Sequence, residues 1–309
     1  MAAEKIRPRV AAAVLSWNLR DRVIECISAL LKENAVDKVI LVDNLSRDDT
    51  PEAVRESFPS VLVIENDKNL GFAGGNNVGI RKAMESGADF VLIMNSDALP
   101  AEGSIARLIE AAVVEGAGAV GGKPVRRDNP AVLDAAWGVI NWRNFASRLE
   151  GEGAPDGPAY SERRNVDYPL GVAMLLNVMA LKEVGLFDEQ YFAYHEEMEL
   201  CHRMRLKGWP VIFEPARFLH GGSESLREAG AHLVREYLLA RNSVRFVKKY
   251  GTAPQKIKFW IFVLAASIFK LPVEILRGGW RKHIAHIHGW LDGLRNKKIS
   301  EAILLKYGL

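Results

Sequence analysis

Short, continuously apolar segments alternate with segments of helical periodicity over the first 120 residues. The apolar runs of strand length are residues 10–15, 38–42, 61–64 and 90–94. The segments with helical spacing of apolar residues are 21–33, 51–56 and 76–85. Because the strands are apolar at consecutive rather than alternate positions, both of their faces should be buried, as in a parallel sheet covered by helices. This succession predicts an α/β fold with an open, mostly parallel sheet.

Polar or aromatic side chains follow the predicted strands at the points where the strands end. These side chains are Ser16, Trp17, Asn18, Asp43, Asn95 and Asp97. In open α/β sheets, ligands bind just beyond the carboxyl ends of the strands. We therefore expect the functional site at this edge of the sheet.

The pattern is weaker between residues 122 and 165. Residues 151–164 are rich in Gly, Pro and charge and have no apolar period, which is typical of turns. We therefore expect a mobile loop there. Apolar order returns at residues 168–177, and the second half of residues 187–209 is predicted to be helical.

Charge divides the chain into two unequal parts. The 309 residues contain 41 Lys and Arg, 38 Asp and Glu, and 2 Cys, which excludes a disordered chain and a disulfide scaffold. Residues 1–234 have a net charge of −8, whereas residues 235–309 carry 15 Lys and Arg against 4 Asp and Glu, a net charge of +11. We therefore expect a main domain over residues 1–234 and a basic helical region over residues 235–309.

The basic region is predicted to bind an anionic membrane surface. Such a region usually binds nucleic acid or membrane, and no nucleic-acid-binding motif is visible in the sequence. Residues 259–269 are uncharged, apolar apart from Ser267, and flanked by lysines, but as a helix they span only about 16 Å of a hydrocarbon core about 30 Å thick. Interfacial insertion is favoured, and a helix packed on the main domain is the alternative. With no disulfide pattern and no signal peptide, we expect a cytoplasmic protein, peripheral on the inner face of the cell membrane.

Six segments in order resemble the family 2 glycosyltransferases of the GT-A fold, especially bacterial rhamnosyltransferases. They are LSWN (15–18), VDNLSRDDT (42–50), NLGFAGGNNVGI (69–80), MNSDA (94–98), VGLFDEQYFAYHEEMELCHR (184–203) and HGGS (220–223). The resemblance covers roughly residues 8–250. It implies an inverting, metal-assisted transfer from a nucleotide-sugar donor, with dTDP-rhamnose as the leading donor. The implied acceptor is a hydroxyl of a polysaccharide or a lipid-linked (polyprenol-linked) glycan.

The resemblance also assigns substrate-binding residues, with Asp43 accepting hydrogen bonds from the base or ribose of the nucleotide. The assigned residues are Ser16, Trp17, Asn18, Asp43, Asn69, Gly75, Asn76, Asn95 and Gly171. A carboxylate offers only acceptors, which suits N–H and O–H donors. The alternatives are structural: Asp43 as the cap of the helix near residue 50, and the glycines of residues 71–77 as a turn and helix start.

A divalent metal ion, Mg²⁺ or Mn²⁺, is implied at Asp97 and His220. The family has an acidic D-x-D type site after the fourth strand, and here an amide, Asn95, replaces the first carboxylate. One carboxylate with a substrate diphosphate is sufficient for such an ion. The alternatives are a helix-capping role for Asp97 and a loop position for His220.

The resemblance assigns the general base to Glu197, with Glu196 as the second candidate. The family usually has Glu-Asp at these two positions, so the base here is longer by one methylene. Glu199 is expected to pair with Arg203 one helical turn on. Two other functions remain: a sugar-phosphate nucleotidyltransferase, which should have a Gly-rich loop after the first strand that LSWN lacks, and an inactive membrane-associated scaffold or binding protein of the same fold.

Overall fold

The computed structural model describes residues 7–142, 146–222, 232–276 and 279–308. In these ranges a nine-stranded sheet runs in the order β3-β2-β1-β4-β11-β6-β12-β5, with β9 paired to β12. A second sheet of three strands has the order β10-β7-β8. The strands are β1 (Val10–Ser16), β2 (Lys38–Asp43), β3 (Leu62–Glu65), β4 (Phe90–Asn95), β5 (Ala98–Pro100), β6 (Ala119–Arg126), β7 (Trp137–Asn141), β8 (Ala146–Glu150), β9 (Arg164–Asn165), β10 (Tyr168–Pro169), β11 (Ala173–Asn177) and β12 (Val211–His220).

The helices cover both faces of the large sheet and continue beyond it at the carboxyl-terminal side of the chain. They are α1 (Arg20–Leu31), α2 (Thr50–Ser57), α3 (Gly71–Glu85), α4 (Ser104–Glu115), α5 (Val178–Val184), α6 (Glu196–Leu206), α7 (His232–Tyr250), α8 (Ala253–Leu276), α9 (Trp280–Leu294) and α10 (Glu301–Lys306).

The predicted open, mostly parallel sheet is confirmed. Strand β1 pairs in parallel with β2 and β4, and β6 pairs in parallel with β12, while β11 runs antiparallel between β4 and β6. One face packs against α1 and α4, and the other against α3 and α6. This two-sided burial explains why the strand segments are apolar at successive positions.

The register of the strands aligns the polar residues at one edge. Ser16 lies opposite Asp43, and Leu15 lies opposite Asn95, so the carboxyl ends of β1, β2 and β4 are level with one another. The candidate site residues that follow these strands are therefore carried by a rigid framework.

Helix α3 begins at Gly71, earlier than the predicted start at residue 76, so the glycine run lies inside the helix. Gly71 has a positive φ of 70°, and a Cβ there would lie 2.4 Å from the carbonyl oxygen of Phe192. At Gly75, a Cβ would lie 2.4 Å from Leu15 Cδ1 in β1. These glycines permit close packing of α3 on the sheet and on the chain around Phe192.

The expectation of a mobile loop at residues 151–164 is replaced by a turn-rich segment fixed to the fold. Its backbone bonds to neighbouring chain, with Asp156 N donating to Ala131 O at 2.8 Å. Asp156 also forms an ion pair with Lys123 of β6 at 2.7 Å, and both side chains are largely buried. These polar contacts fix the segment together with the ring of Tyr160, whose centroid lies 5.8 Å from that of Trp137, so the segment needs no apolar period.

Helix α7 crosses the predicted boundary between residues 234 and 235. Its buried residues pack against Phe192 and against α9 and α10. One continuous helix therefore spans the position at which the net charge of the sequence changes. Helix α8 packs on α7 through Phe259 and Val263, which contact Val244 and Val247. No helix in the described ranges is long and apolar enough to cross a membrane.

We predict that Asp156→Ala lowers the free energy of unfolding by about 3 kcal/mol, because it leaves the Lys123 ammonium buried without its carboxylate. Adding Lys123→Met should recover part of this loss by removing the unpaired charge. Denaturant unfolding of the two variants measures both effects. A loss below about 0.5 kcal/mol, the range of ordinary surface changes, would contradict the assignment of this pair as a fixed point.

Candidate active site

The ends of β1 and β2 form one polar cluster centred on Asp43. Ser16 Oγ donates to Asp43 Oδ1 at 3.0 Å, and Ser46 donates to the same carboxylate through its backbone N–H at 2.8 Å and its hydroxyl at 2.5 Å. Asn18 joins the cluster through its backbone N–H, which donates to Ser46 Oγ at 2.7 Å. Trp17 lies between Ser16 and Asn18 and is half-buried. The predicted grouping of Ser16, Asn18 and Asp43 is therefore present.

The alternative interpretation of Asp43 as a helix cap is not what the structure shows. The residue before α2 is Asp49, and its side chain makes no capping hydrogen bond. Asp43 instead closes a turn with Ser46 and links it to β1. Its carboxylate is nearly fully buried and faces hydroxyl and N–H donors.

The three residues predicted near the nucleotide from residues 69–77 have internal partners. Asn69 Oδ1 accepts from Asn44 Nδ2 at 2.9 Å and from Gly71 N at 2.8 Å. Asn76 is buried and donates to Phe72 O at 3.0 Å, and Gly75 packs against β1. These contacts give each residue a structural role, and the nucleotide contact predicted for each stays a prediction.

His220 and Asp97 lie side by side, as the metal prediction requires. Strand β5 follows β4 after a two-residue turn and pairs with the end of β12, which brings His220 Nε2 to 3.4 Å from Asp97 Oδ1. Both side chains are buried. Asn95 Nδ2 is also 3.4 Å from His220 Nε2. Two residues far apart in sequence thus present an oxygen and a nitrogen to the same point.

Asp134 is a functional candidate that the sequence did not reveal. Its Oδ2 lies 2.7 Å from His220 Nδ1. Burial alone would lower the pKa of His220, but the hydrogen bonds and charges of Asp134 and Asp97 outweigh it and raise this pKa to about 9. A carboxylate on Nδ1 fixes the ring so that Nε2 faces Asp97, which is the usual arrangement behind a metal-binding histidine. Asp134 stands in a loop with no motif around it, so no sequence signal marked it.

The donor set fits a hard divalent ion only if the substrate completes it. In the described part of the chain, no group of three or more His, Cys, Asp or Glu side chains is arranged to hold a metal. Asp97 and His220 supply two ligand atoms, and Mg²⁺ or Mn²⁺ commonly takes further oxygens from phosphates and water. The residues therefore fit an ion that binds together with a diphosphate.

Glu196 and Glu197 begin helix α6, directly after His195, whose φ is 71°. Glu197 Oε1 accepts from Gly171 N at 3.2 Å, and a Cβ on Gly171 would lie only 2.5 Å from that oxygen. The predicted substrate-binding residue Gly171 therefore contacts the predicted base. Negative charge at a helix N-terminus is also favoured by the helix dipole.

Burial raises the pKa of both carboxyl groups. The pKa of Glu196 is raised well above its usual value by burial and then by the charge of Glu197, while the raised pKa of Glu197 is restrained by its backbone hydrogen bonds. Glu196 Oε2 has no hydrogen-bond partner in the described residues. Since the pKa of Glu196 is raised further than that of Glu197, Glu196 keeps its proton to higher pH and Glu197 is the carboxyl group that is left ionised beside it.

Glu199 pairs with Arg203, as predicted, at 2.8 Å. Lys249 Nζ and Tyr250 OH of α7 also contact Glu199 Oε1, at 2.7 and 2.5 Å. Burial would raise the pKa of Glu199, but Arg203 and Lys249 outweigh it and lower the pKa. This carboxylate is a structural link between α6 and α7.

One cavity of about 820 Å³ joins the carboxyl pair to the histidine. Its lining includes Gly171, Glu196 and Glu197 on one side, and Asn95, Asp134 and His220 on the other. A second cavity of about 580 Å³ shares Asp134 and His220 and is lined by Arg22, Arg126 and Arg127. The arrangement can hold an anionic group near His220 while a base faces a second molecule.

Comparison with known proteins agrees with this geometry. The family described as "Glycosyltransferase like family 2" matches residues 8–248. An N-acetylglucosaminyl-diphospho-decaprenol L-rhamnosyltransferase of Mycobacterium tuberculosis is 31% identical over 221 residues, covering 64% of this chain and 71% of the relative. The galactofuranosyltransferase GlfT1 of Mycolicibacterium smegmatis is 25% identical over 299 residues, covering 91% and 94%.

Solved structures show the same fold. A mannosyltransferase from Pyrobaculum calidifontis, in complex with GDP-Man and Mn²⁺, superposes with a TM-score of 0.59 at 17% identity, covering 95% of this chain and 89% of that one. GalNAc-T7 with UDP, GalNAc and Mn²⁺ gives a TM-score of 0.64 at 14% identity, covering 99% and 59%. From its matched residues and its site, the chain belongs to glycosyltransferase family 2 and has the GT-A fold.

Proposed function

We propose that this enzyme transfers a sugar, with inversion, from a nucleotide-sugar donor to a hydroxyl of a lipid-linked or polysaccharide glycan. The observation that carries the proposal is the single cavity that contains both Glu197 and His220. A donor whose diphosphate lies near His220 would present its sugar to an acceptor beside Glu197. The Ser16–Asp43 cluster at the same edge of the sheet is the proposed contact for the nucleotide.

Glu197 is the proposed general base. It removes the proton of the acceptor hydroxyl while that oxygen forms a bond to the anomeric carbon and the bond from this carbon to the diphosphate breaks. The proton stays on Glu197 until product leaves, and the nucleoside diphosphate departs with the bonding electrons. Burial raises the pKa of Glu197 above its usual value, which suits proton abstraction from a weakly acidic hydroxyl.

Asp97 and His220 are the proposed protein ligands of Mg²⁺ or Mn²⁺. Asp134 orients the ring of His220. When bound, such an ion neutralises the charge that develops on the leaving diphosphate. The two solved structures of this fold each contain Mn²⁺, which supports a divalent metal without deciding between the two ions.

The proposed donor is dTDP-rhamnose. This choice rests on the relative named as an L-rhamnosyltransferase, and the galactofuranosyltransferase relative makes UDP-galactofuranose the donor to compare with it. The same relative is named for N-acetylglucosaminyl-diphospho-decaprenol, which supports a sugar linked through a diphosphate to a polyprenol as the acceptor. Release of nucleoside diphosphate from a panel of these two donors and GDP-mannose tests the assignment.

We further propose that α8 docks on the anionic cytoplasmic face of the cell membrane. Phe259 and Val263 turn one side of α8 to α7, but the opposite side is apolar and exposed. The exposed stripe consists of Ile257, Ile261, Leu264 and Ile268, at helical spacing, with Phe262 and Phe269 beside it. The +11 charge of residues 235–309 complements anionic lipid, and an apolar face with basic surroundings is typical of interfacial helices.

We predict that Glu197→Gln lowers kcat about 10²- to 10⁴-fold while donor affinity stays within about twofold, because an amide keeps the shape but cannot accept the proton. Glu197→Asp should keep measurable activity. The matched control is Glu152→Gln, an acid in the lining of the same cavity. Steady-state kinetics measure kcat, and donor titration measures donor affinity. If Glu197→Gln keeps more than half of the wild-type kcat, Glu197 is not the general base.

We predict that Asp97→Ala and His220→Ala each raise the Mn²⁺ concentration needed for half-maximal rate, by at least about tenfold. Asp134→Asn should have a smaller effect in the same direction, because it alters only the orientation of His220. Metal titration of the purified variants measures the change. Full wild-type activity in excess EDTA would show that the transfer needs no metal.

We predict that Ile261→Glu together with Ile268→Glu abolishes binding to anionic liposomes without changing kcat on a soluble acceptor. The matched control is Leu206→Glu, an equally exposed apolar residue at the end of α6. Wild-type binding should weaken in high salt but persist, because only the electrostatic part is screened. Co-sedimentation with anionic and neutral vesicles measures this, and unchanged binding of the double variant would show that the α8 stripe is not the docking face.

A further inference from the structure

The chain that leads into the proposed base has an unusual backbone. Phe192, Tyr194 and His195 all have φ between 65° and 71°, and none of them is glycine. Left-handed conformations cost free energy in such residues and persist only where the surroundings hold them. Because Glu196 and Glu197 follow immediately, the position of the base depends on whatever holds this loop, residues 190–195.

Asn242 of α7 holds the loop through its side-chain amide. Asn242 Nδ2 lies within donor distance of three loop carbonyls: Tyr191 O at 2.9 Å, Ala193 O at 2.9 Å and Tyr194 O at 2.8 Å. The side chain is completely buried, so water cannot replace these bonds. The left-handed turns point these carbonyls to one side, where a single amide reaches all of them.

Arg241, which is also completely buried, fixes the side-chain amide of Asn242 and links the loop to the chain after α9. Its Nη1 donates to Asn242 Oδ1 at 2.8 Å and to Gln190 O at 2.7 Å, and its Nη2 donates to Lys297 O at 2.6 Å. Since the carbonyl oxygen of Asn242 faces the guanidinium, its NH₂ group must face the loop. The loop, α7 and the turn after α9 are thus joined through two adjacent side chains.

We propose that Asn242 is a positioning residue for the transfer reaction: it holds the loop of residues 190–195 in its left-handed form so that Glu197 points into the cavity. It lies outside the cavity lining and acts only through the loop. This inference rests on the proposed role of Glu197. It also gives one residue of the basic C-terminal region a supporting role for the site, in addition to the proposed membrane contact of that region.

The test compares full-length Asn242→Ala and Asn242→Ser with Ser243→Ala. Ser243 is the matched control, because its hydroxyl bonds only to Leu239 O of its own helix in the described structure. Asn242→Ala should lower kcat about 10²-fold, the effect of a displacement of about 1 Å at a reacting group, with the KM for the donor within twofold. Asn242→Ser retains one donor and should fall between Asn242→Ala and wild type.

Hydrogen–deuterium exchange provides a second measurement that does not need turnover. Amides of residues 187–199 should exchange faster in Asn242→Ala than in wild type and in Ser243→Ala, with circular dichroism confirming a folded chain. If Asn242→Ala does not fold, Asn242→Ser is judged by the same two measurements. Wild-type kcat in a folded Asn242 variant, or a rate loss that appears entirely in donor KM, would overturn the inference.

The two proposals fail in different ways. If the wild-type enzyme releases no nucleoside diphosphate from any donor of the panel, the proposed function is wrong. In that case, hydrogen–deuterium exchange of Asn242→Ala against wild type decides by itself whether Asn242 holds the loop. Unchanged exchange in residues 187–199 would show that it does not.

Discussion

Two adjacent carboxyl groups at the start of α6, with Glu196 buried and Glu197 half-buried in the cavity wall, constrain the structure around them. Burying Glu196 and Glu197 together is unfavourable, since each ionised form is deprived of solvent and the two charges repel each other. The chain compensates with the N-terminus of a helix and with the backbone N–H of Gly171, which only a residue without Cβ can bring so close. These contacts do not fully offset the cost of the two charges, so the pKa of each carboxyl group stays raised. A raised pKa suits the proton abstraction that we propose for Glu197.

Much of the framework was predictable because it depends on local pattern. Consecutive apolar residues identified four strands of the sheet, and the strand bounds differ from the prediction by no more than a residue at either end. The polar residues after these strands were correctly expected at one edge, since the register of parallel strands places their ends level. The pair Ser16–Asp43 follows this rule, whereas Asp97 and His220 are brought together by the antiparallel pairing of β5 with β12.

What the sequence did not reveal depends on contacts between distant segments. Asp134 orients His220, and Asn242 holds residues 191–194, but neither residue stands in a motif, and each partner is tens of residues away. Of the glycines in residues 71–75, Gly75 was predicted to lie near a nucleotide, which stays a prediction, while in the structure Gly71 and Gly75 allow α3 to approach Phe192 and Leu15. A glycine signals that something comes close, and the sequence alone does not say whether it is a ligand or the protein itself.

Helix α7 connects the loop of residues 190–195 to helix α8, although the two lie in parts of the chain with opposite net charge. Asn242 contacts the loop that precedes Glu197, the proposed base. Val247 lies five positions and about 7.5 Å further along the same helix, and it packs in the apolar cluster that holds α8. A single rigid element therefore joins the loop of residues 190–195 to the helix that carries the exposed apolar stripe. Because a helix bends little over so short a length, the orientation of the stripe fixes the orientation of the cavity. If α8 docks on a membrane as proposed, this rigid link would keep Glu197, the proposed base, at a constant height above the lipid surface.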